Sequence, residues 1–314
     1  MKIAVIIPTW KRPQKLARAL QGLEAQTAPP ARVLVTYRAE DQASVALLEH
    51  WRTTTRLAHE LVEVHQSGVV HAENEALRRL LPDSSIELVA FHDDDSVAPP
   101  EWCQRIAEFF AARPEASALG GPDFIVAQPW TYHEVFVEVV GRLTWYGKVI
   151  GHHHHRSEGL REVDVLKGVN MIFRRTLLEL LDERLQGRRP EEGNGVFWEL
   201  DLCLRLKRKG ARLFFDPGLV VQHDSDHSHF LPDHVEVSTA HNMTYVLLKN
   251  LPPHRAMVFL LYSVLIGHNN IKGLARTALY LLRERRLAPL HSMRLSLRGL
   301  CLGLRTYLAA RRGA

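Results

Sequence analysis

The tightest constraint on this chain is a strand that ends in acid. Ile86 to Phe91 (IELVAF) is a short, mostly apolar run that leads straight into His92-Asp93-Asp94-Asp95. Three adjacent carboxylates repel one another and resist burial as bare anions, so the fold must bring cations or hydrogen-bond donors to that strand end. The stretches before it set the architecture. Lys2 to Ile7 reads as a buried parallel strand stopped by Pro8, and Arg32 to Tyr37 and Leu61 to His65 read as two more strands. Pro13 to Gln26, Ser44 to Trp51 and the stretch from Gly68 to Leu81 have helical periodicity. Trp102 to Ala112 is a further helix, and Ala116 to Leu119 a strand closed by Gly120-Gly121-Pro122. Such alternation predicts an open α/β sheet with its ligand site at the carboxyl ends of the strands, where the loops after Ile7 and Phe91 meet.

Past Pro122 the alternation fades. Trp130 to Ile150 is aromatic-rich and open between helix and strand; Gly151 to Glu162 is a polar loop with four consecutive histidines. Val163 to Arg174 ends strand-like, Phe197 to Lys209 is an amphipathic helix, and Leu213 to His223 is again strand-like. From His241 onward the pattern is helical, which divides the chain into an α/β domain over 1–240 and a helical region over 241–314.

The chain has 314 residues, 46% of them hydrophobic and 24% charged, values that exclude a disordered chain, a collagen-like fibre and a multi-span membrane protein. Cys103, Cys203 and Cys301 form no CxxC pair, so a reducing compartment is expected, and the short apolar start predicts a cytoplasmic protein. The net charge of +5 is uneven. Residues 252–314 hold ten arginines and one lysine against the single acid Glu284, a balance of +10, which leaves −5 for the first 251 residues. Basic residues do not interleave with aromatics in a recognisable motif, so nucleic acid is not an expected partner.

The aspartates point to a divalent cation, because hard oxygen ligands suit Mg²⁺ or Mn²⁺ and these in turn hold phosphates. Strand alternation sends Asp93 and Asp95 to one side and Asp94 to the other. A solvated acidic turn before Pro99-Pro100 is the plainer alternative.

With these stretches in view, the sequence resembles the family 2 glycosyltransferases, which have the GT-A fold. The matching segments are Ile6-Ile7-Pro8-Thr9-Trp10-Lys11-Arg12-Pro13, Phe91-His92-Asp93-Asp94-Asp95, Leu166-Lys167-Gly168-Val169-Asn170-Met171 and Glu199-Leu200-Asp201-Leu202, with Phe215-Asp216-Pro217 and Val220-Val221-Gln222-His223 closing the domain. The resemblance implies a metal-dependent inverting transfer of a sugar from a nucleotide-diphosphate donor to a hydroxyl acceptor. It implies a donor site of Pro8, Thr9, Trp10, Arg12, Asp41, Asn74, Asp93 and Asp94. Asp93, Asp95 and His223 become ligands of Mn²⁺ or Mg²⁺. Gly168, Asn170 and Trp198 become the sugar and acceptor wall. Glu199 is implied as catalytic base with Asp201 in support; Glu199 stands where the family more often has Asp.

Two departures matter. Thr36-Tyr37-Arg38-Ala39-Glu40-Asp41 keeps only Asp41 of the family's acidic base-reading run, and Ala72-Glu73-Asn74 lacks the usual arginine. A uracil preference therefore does not carry over. His152 to His155 reads either as a metal site or as a polar loop beside the acceptor wall. Ala256 to Gly267, about twelve residues, falls short of the roughly twenty needed to span a bilayer. With the arginine surplus it reads either as peripheral contact with the inner face of a membrane or as a helical cap with a solvated basic face. Glycan or lipid-linked acceptors of cell-surface synthesis fit the first. The rival functions are a non-catalytic nucleotide-sugar-binding protein on membranes and a nucleotidyltransferase, the latter disfavoured because Pro8 to Pro13 contains no glycine. The oligomeric state is not readable.

Overall fold

The computed structural model describes residues 1–126, 135–187, 195–224, 233–284 and 287–312. Its first part is the expected alternation: β1 (Ile3–Pro8), α1 (Pro13–Glu24), β2 (Arg32–Tyr37), α2 (Gln42–Thr54), β3 (His59–Glu63), α3 (Val69–Leu80) and β4 (Leu88–His92). After β5 (Ser96–Val97) come α4 (Trp102–Ala112), β6 (Ala118–Gly120) and β7 (Asp123–Ile125). Four more strands follow: β8 (Arg142–Leu143), β9 (Val149–Ile150), β10 (Arg161–Val163) and β11 (Asn170–Arg174). α5 (Trp198–Arg208), β12 (Leu213–Phe215) and β13 (Val221–His223) close the α/β part.

The main sheet has the order β10-β12-β6-β11-β4-β1-β2-β3. β4, β1, β2 and β3 run parallel, while β11 is antiparallel to both its neighbours, β4 and β6. Side chains of a strand alternate between faces, and here both faces are covered. Ala4 and Ile6 of β1 pack in the core shared with α3 and α5, whereas Ile3, Val5 and Ile7 pack in the core shared with α1, α2 and α4. That explains why β1, β2 and β4 read as near-continuous apolar runs, whereas the edge strand β3 buries only Val62. α1 begins at Pro13, whose fixed φ suits a first helical position, and buries Leu16, Ala19, Leu20 and Leu23.

A second, three-stranded sheet, β5-β13-β7, lies beyond the ends of β4 and β6. His223 pairs with Ser96 and Val221 with Asp123, so this small sheet brings the close of the α/β part back to the aspartates. Within the aromatic-rich stretch, β8 and β9 pair as an antiparallel hairpin, while residues 127–134 lie outside the described residues.

The helical region consists of α6 (Asp233–Asn250), α7 (Pro253–Leu265), the short pair β14 (Gly267–His268) and β15 (Ile271–Lys272), α8 (Leu274–Glu284) and α9 (Ala288–Arg312). α6 runs through residue 240, where the sequence suggested a boundary. α6 and α9 approach closely because Gly299 and Gly303 have no side chain: a Cβ on Gly299 would sit 2.5 Å from Ala240 Cβ, and one on Gly303 2.5 Å from His241 O. No helix among the described residues is long and apolar enough to cross a membrane.

Polar bonds tie the helical region to the α/β part. Tyr245 Oη and Lys249 Nζ of α6 each donate to Asp182 Oδ2 at 2.6 Å, and Lys249 Nζ also reaches Asp201 Oδ2 at 3.0 Å. Burial raises the Asp182 carboxyl, but the Lys249 and Tyr245 hydrogen bonds outweigh it and bring it down to about 2. A carboxyl held below its unfolded value stabilises the fold above that value and loses the contribution as pH falls through the folded one. Asp182→Asn should therefore lower stability by about 1–3 kcal/mol at neutral pH. In melting curves the gap to wild type should narrow as pH is lowered through 4 towards 2; an equal gap at pH 7 and pH 3 would contradict this role.

Candidate active site at the ends of β1 and β4

Because β1 and β4 are adjacent and parallel, with Ile6 opposite Phe91, the loops after them emerge side by side. Asp93 to Asp95 form a turn rather than a continued strand, since Ser96 N and Oγ both donate back to Asp93 O. The expected sidedness still holds in outcome, by the turn and not by strand alternation. Asp93 and Asp95 face His223, their ligand atoms all within 4.8 Å of one another, while Asp94 turns to the β1 loop. There Thr9 Oγ1 donates to Asp94 Oδ2 at 2.7 Å, and Arg12 spans two carboxylates, Nη2 to Asp94 Oδ1 at 2.7 Å and Nη1 to Asp95 Oδ2 at 2.5 Å.

The three acids differ in charge state. Burial pushes the Asp94 carboxyl up to about 7 against the pull of Arg12 and Thr9. Burial, and then the charge of Asp95, raise Asp93 above the ordinary carboxylate range. For Asp95 burial works in the same direction, but the His223 hydrogen bond and Arg12 overcome it and leave the group below that range. Asp95 is thus the firm anion of the set.

Behind the aspartates lies a residue the sequence did not single out. Asp123, fully buried at the start of β7, accepts on Oδ2 from Lys167 Nζ at 2.5 Å, His223 Nδ1 at 2.8 Å and His154 Nδ1 at 3.0 Å. Burial raises its carboxyl, yet Lys167 and the two histidines hold it well below the usual range. His223 is gripped from both sides, Nδ1 on Asp123 and Nε2 3.2 Å from Asp95 Oδ1. Burial lowers its basicity, but the bonds to Asp123 and Asp95 raise it to about 9. A carboxylate on the far nitrogen of a histidine fixes its ring orientation and tautomer, which is how ligating histidines are commonly held. The available signal for Asp123 was an acid directly after the strand-ending Gly120-Gly121-Pro122.

The histidine run divides its work. His153 is buried and donates from Nε2 to Val165 O, 3.1 Å away, and His154 belongs to the Asp123 group, while the rings of His152 and His155 lie 5.6 Å apart. Asp123, His154 and His223 form a second set of ligand atoms within 4.8 Å of one another. Glu73, noted in the sequence only as standing in place of an arginine, is 1% exposed; among the described residues its Oε2 has no hydrogen-bond partner, and burial and then Asp93 drive its carboxyl well above the usual range.

The other expected site residues divide in two. Pro8 ends β1, and the Trp10 ring is flanked by Lys11 Nζ at 4.9 Å and the Arg38 guanidinium at 4.6 Å. Gly168 lies against the Trp198 indole, where an added Cβ would be 3.1 Å from Cζ2, and Trp198 also packs on Phe91. Glu199 stands half-buried in the first turn of α5. Four others have their side chains committed to the scaffold. Asp41 caps α2 through Ser44 N and accepts from Lys11 N. The amide of Asn74 is bonded to both backbone groups of Leu181 and to Glu183, away from the aspartates. Asn170 accepts from Trp102 Nε1 and donates to Leu219 O. Asp201 is tied to Arg205, Lys249 and Asn250 and so joins α5 to α6. Beside Asp95 opens a cleft of about 530 Å³ lined by Lys15, Arg18, Gln222 and Asp224 among others.

Comparison with known proteins shows the family and the fold. A model of the family described as glycosyltransferase-like family 2 matches residues 1–234. The glucosyl-dolichyl phosphate glucuronosyltransferase of Haloferax volcanii is 21% identical over 230 residues, which cover 71% of this chain and 69% of that protein. The mannosyltransferase of Pyrobaculum calidifontis, solved in complex with GDP-Man and Mn²⁺, superposes with a TM-score of 0.55 at 17% identity, over 98% of this chain and 87% of that one. TarS 1–349 of S. aureus, solved with UDP-GlcNAc, gives a TM-score of 0.56 at 15% identity, over 100% and 92% of the two chains. The mixed sheet and its helices accordingly have the GT-A fold, and the chain belongs to the glycosyltransferase-like family 2.

Proposed function

We propose that this chain is a metal-dependent inverting glycosyltransferase that moves a sugar from a nucleoside-diphosphate donor to a hydroxyl of a glycan or lipid-linked acceptor, in the synthesis of a cell-surface glycan, exopolysaccharide or glycolipid. The observation that carries the reading is the meeting of Asp93, Asp95 and His223 beside Arg12 at the ends of β1 and β4. The donor set fits Mn²⁺ or Mg²⁺: two carboxylates and an imidazole, with Asp95 Oδ1 buried and, among the described residues, accepting nothing beyond the His223 contact. Asp93, Asp95 and His223 would hold such a cation, which would supply positive charge to offset that of a diphosphate leaving group. The Mn²⁺ and GDP-Man of the Pyrobaculum calidifontis enzyme and the lipid-linked name of the Haloferax volcanii relative support the same reading.

The chain's own residues supply the rest. Arg12, a planar fork already bidentate to two carboxylates, turns its guanidinium to the donor's phosphates. Pro8, Thr9 and Trp10 shape the nucleotide side, and Trp198 on Gly168 makes the sugar wall. Glu199 takes the proton of the acceptor hydroxyl as that oxygen bonds to the anomeric carbon. The bond from that carbon to the phosphate oxygen breaks on the opposite face, and its electron pair leaves with the nucleoside diphosphate. Asp201 positions the start of α5 from its bonds to Lys249 and Asn250. The protein acts from the cytoplasmic side, in peripheral contact with the membrane through residues 252–314.

Melting curves with UDP-, GDP-, TDP- and CMP-sugars, each with Mn²⁺, Mg²⁺ or EDTA, test the donor site, since a ligand that binds only the folded state raises the melting point. One nucleotide should shift the curve, and the shift should vanish with EDTA and in Asp95→Ala. Folded protein that no nucleotide shifts in the presence of metal would contradict the reading.

Glu199→Gln should lower kcat by about 10²- to 10⁴-fold while leaving the nucleotide shift in place. Turnover at the wild-type rate would remove Glu199 as the base.

A further inference from the structure

Two helices of the C-terminal region carry their apolar faces outward. On α7 the exposed residues Met257, Leu261, Val264 and Leu265 recur at the spacing of one helix face, while the opposite face buries Ala256, Phe259 and Ser263. On α8 the exposed face is Leu274, Ala275, Ala278, Leu279 and Leu282, the last 78% exposed. The two faces meet at the turn between the helices: Arg276 N donates to Ile266 O at 3.3 Å, which brings exposed Ile266 beside the first turn of α8. Trp145, 62% exposed, joins them from the β8–β9 hairpin. That hairpin rests on α7 through Tyr146 and Tyr262, with ring centroids 4.5 Å apart, and Arg255 donates to Trp145 O. A water-facing helix has no reason to arrange leucines this way, and contiguous exposed apolar surface marks a surface that something covers.

We propose that the α7–α8 face, with Trp145 at its margin, is where the protein docks on a lipid surface carrying anionic headgroups. Charge selects this occupant. Residues 252–314 hold eleven cationic side chains against one acid. Arg283 and the exposed stripe Arg294, Arg298, Arg305 and Arg312 of α9 lie on the helices next in the chain. Cations beside apolar side chains, with an indole at the margin, form the usual pattern of an interfacial segment. Length agrees: α7, at 13 residues, is about 20 Å long, below the roughly 30 Å of a hydrocarbon core, so it lies in the interface and does not cross it. The inference deepens the peripheral-contact reading by naming the surface. Its test measures lipid binding and not transfer, so its failure and that of the transferase reading are distinguishable.

The full chain is sedimented with vesicles of phosphatidylcholine alone and of equal parts phosphatidylcholine and phosphatidylglycerol, beside the double variant Leu261→Glu/Leu282→Glu. Both leucines are exposed, so the variant should keep the wild-type melting curve, which the same samples check. Wild type should bind the phosphatidylglycerol vesicles, release as salt is raised, and bind phosphatidylcholine poorly. The variant should bind at least about tenfold less. Equal binding by a folded variant, or no binding by wild type, overturns the proposal. A wild-type dimer in light scattering that the variant abolishes, with no vesicle binding, overturns it in favour of a second copy on this face.

Discussion

Three carboxylates at the end of a buried strand are the interaction the rest of the structure answers. Left alone, Asp93, Asp94 and Asp95 would either take up protons or force β4 apart. The chain answers with a hydrogen-bond donor, Thr9, and with countercharge from three directions: Arg12 from the β1 loop, His223 from β13, and Lys167, whose charge also acts on Asp93. Each answer fixes a piece of architecture. Arg12 keeps β1 and β4 joined beyond their last backbone pairing, and His223 explains why the chain returns to form a second sheet after the main one is complete. The outcome is a set of unlike carboxyls, with Asp95 held below the ordinary range while burial raises Asp93 and Asp94 above it.

The small β5-β13-β7 sheet is the hinge between fold and chemistry. Parallel pairing of β7 with β13 sets Asp123 beside His223, and antiparallel pairing of β13 with β5 sets His223 beside the aspartate turn. One imidazole then joins two carboxylate groups, and its Nε2 faces the site because Nδ1 is occupied behind. Opposite, α5 carries Trp198 and Glu199 to the same end of the main sheet and is held at its own start by Asp201, Lys249 and α6. The helical region is therefore bonded to the frame of the site and not merely appended to it. It also leaves one apolar face of α7 and one of α8 exposed.

How much of this was legible in the sequence depended on whether the information was local. β1 to β4 and α1 to α4 were readable because strand and helix periods are written within each segment. Asp93 to Asp95 were readable because their conflict is contiguous. Asp123 was not, since it is an isolated acid whose partners, His154, Lys167 and His223, come from strands and loops far along the chain. β8 to β10, at two or three residues each, have no period to detect. Motif resemblance is silent on hydrogen bonding: Asn74 and Asp41, expected in the donor site, Asn170, expected in the sugar wall, and Asp201, expected in support of the base, bond to Leu181, Lys11, Leu219 and Lys249 respectively. A motif marks positions the architecture needs without saying whether the need is chemical or structural. The amphipathic tail shows the same limit, because periodicity announces two faces on α7 and α8 but not which of them packs inward.

The claim at the centre is that Asp93, Asp95 and His223 jointly hold a divalent cation between the protein and a nucleoside diphosphate. The most direct measurement is anomalous scattering from crystals grown with Mn²⁺ and the nucleoside diphosphate that raises the melting point. The account predicts a single strong peak in contact with Asp95 and His223 Nε2, with the diphosphate on its open side near Arg12. A peak held by Asp123 and His154 instead, or a diphosphate seated on Arg12 with no peak between it and the aspartates, would contradict it.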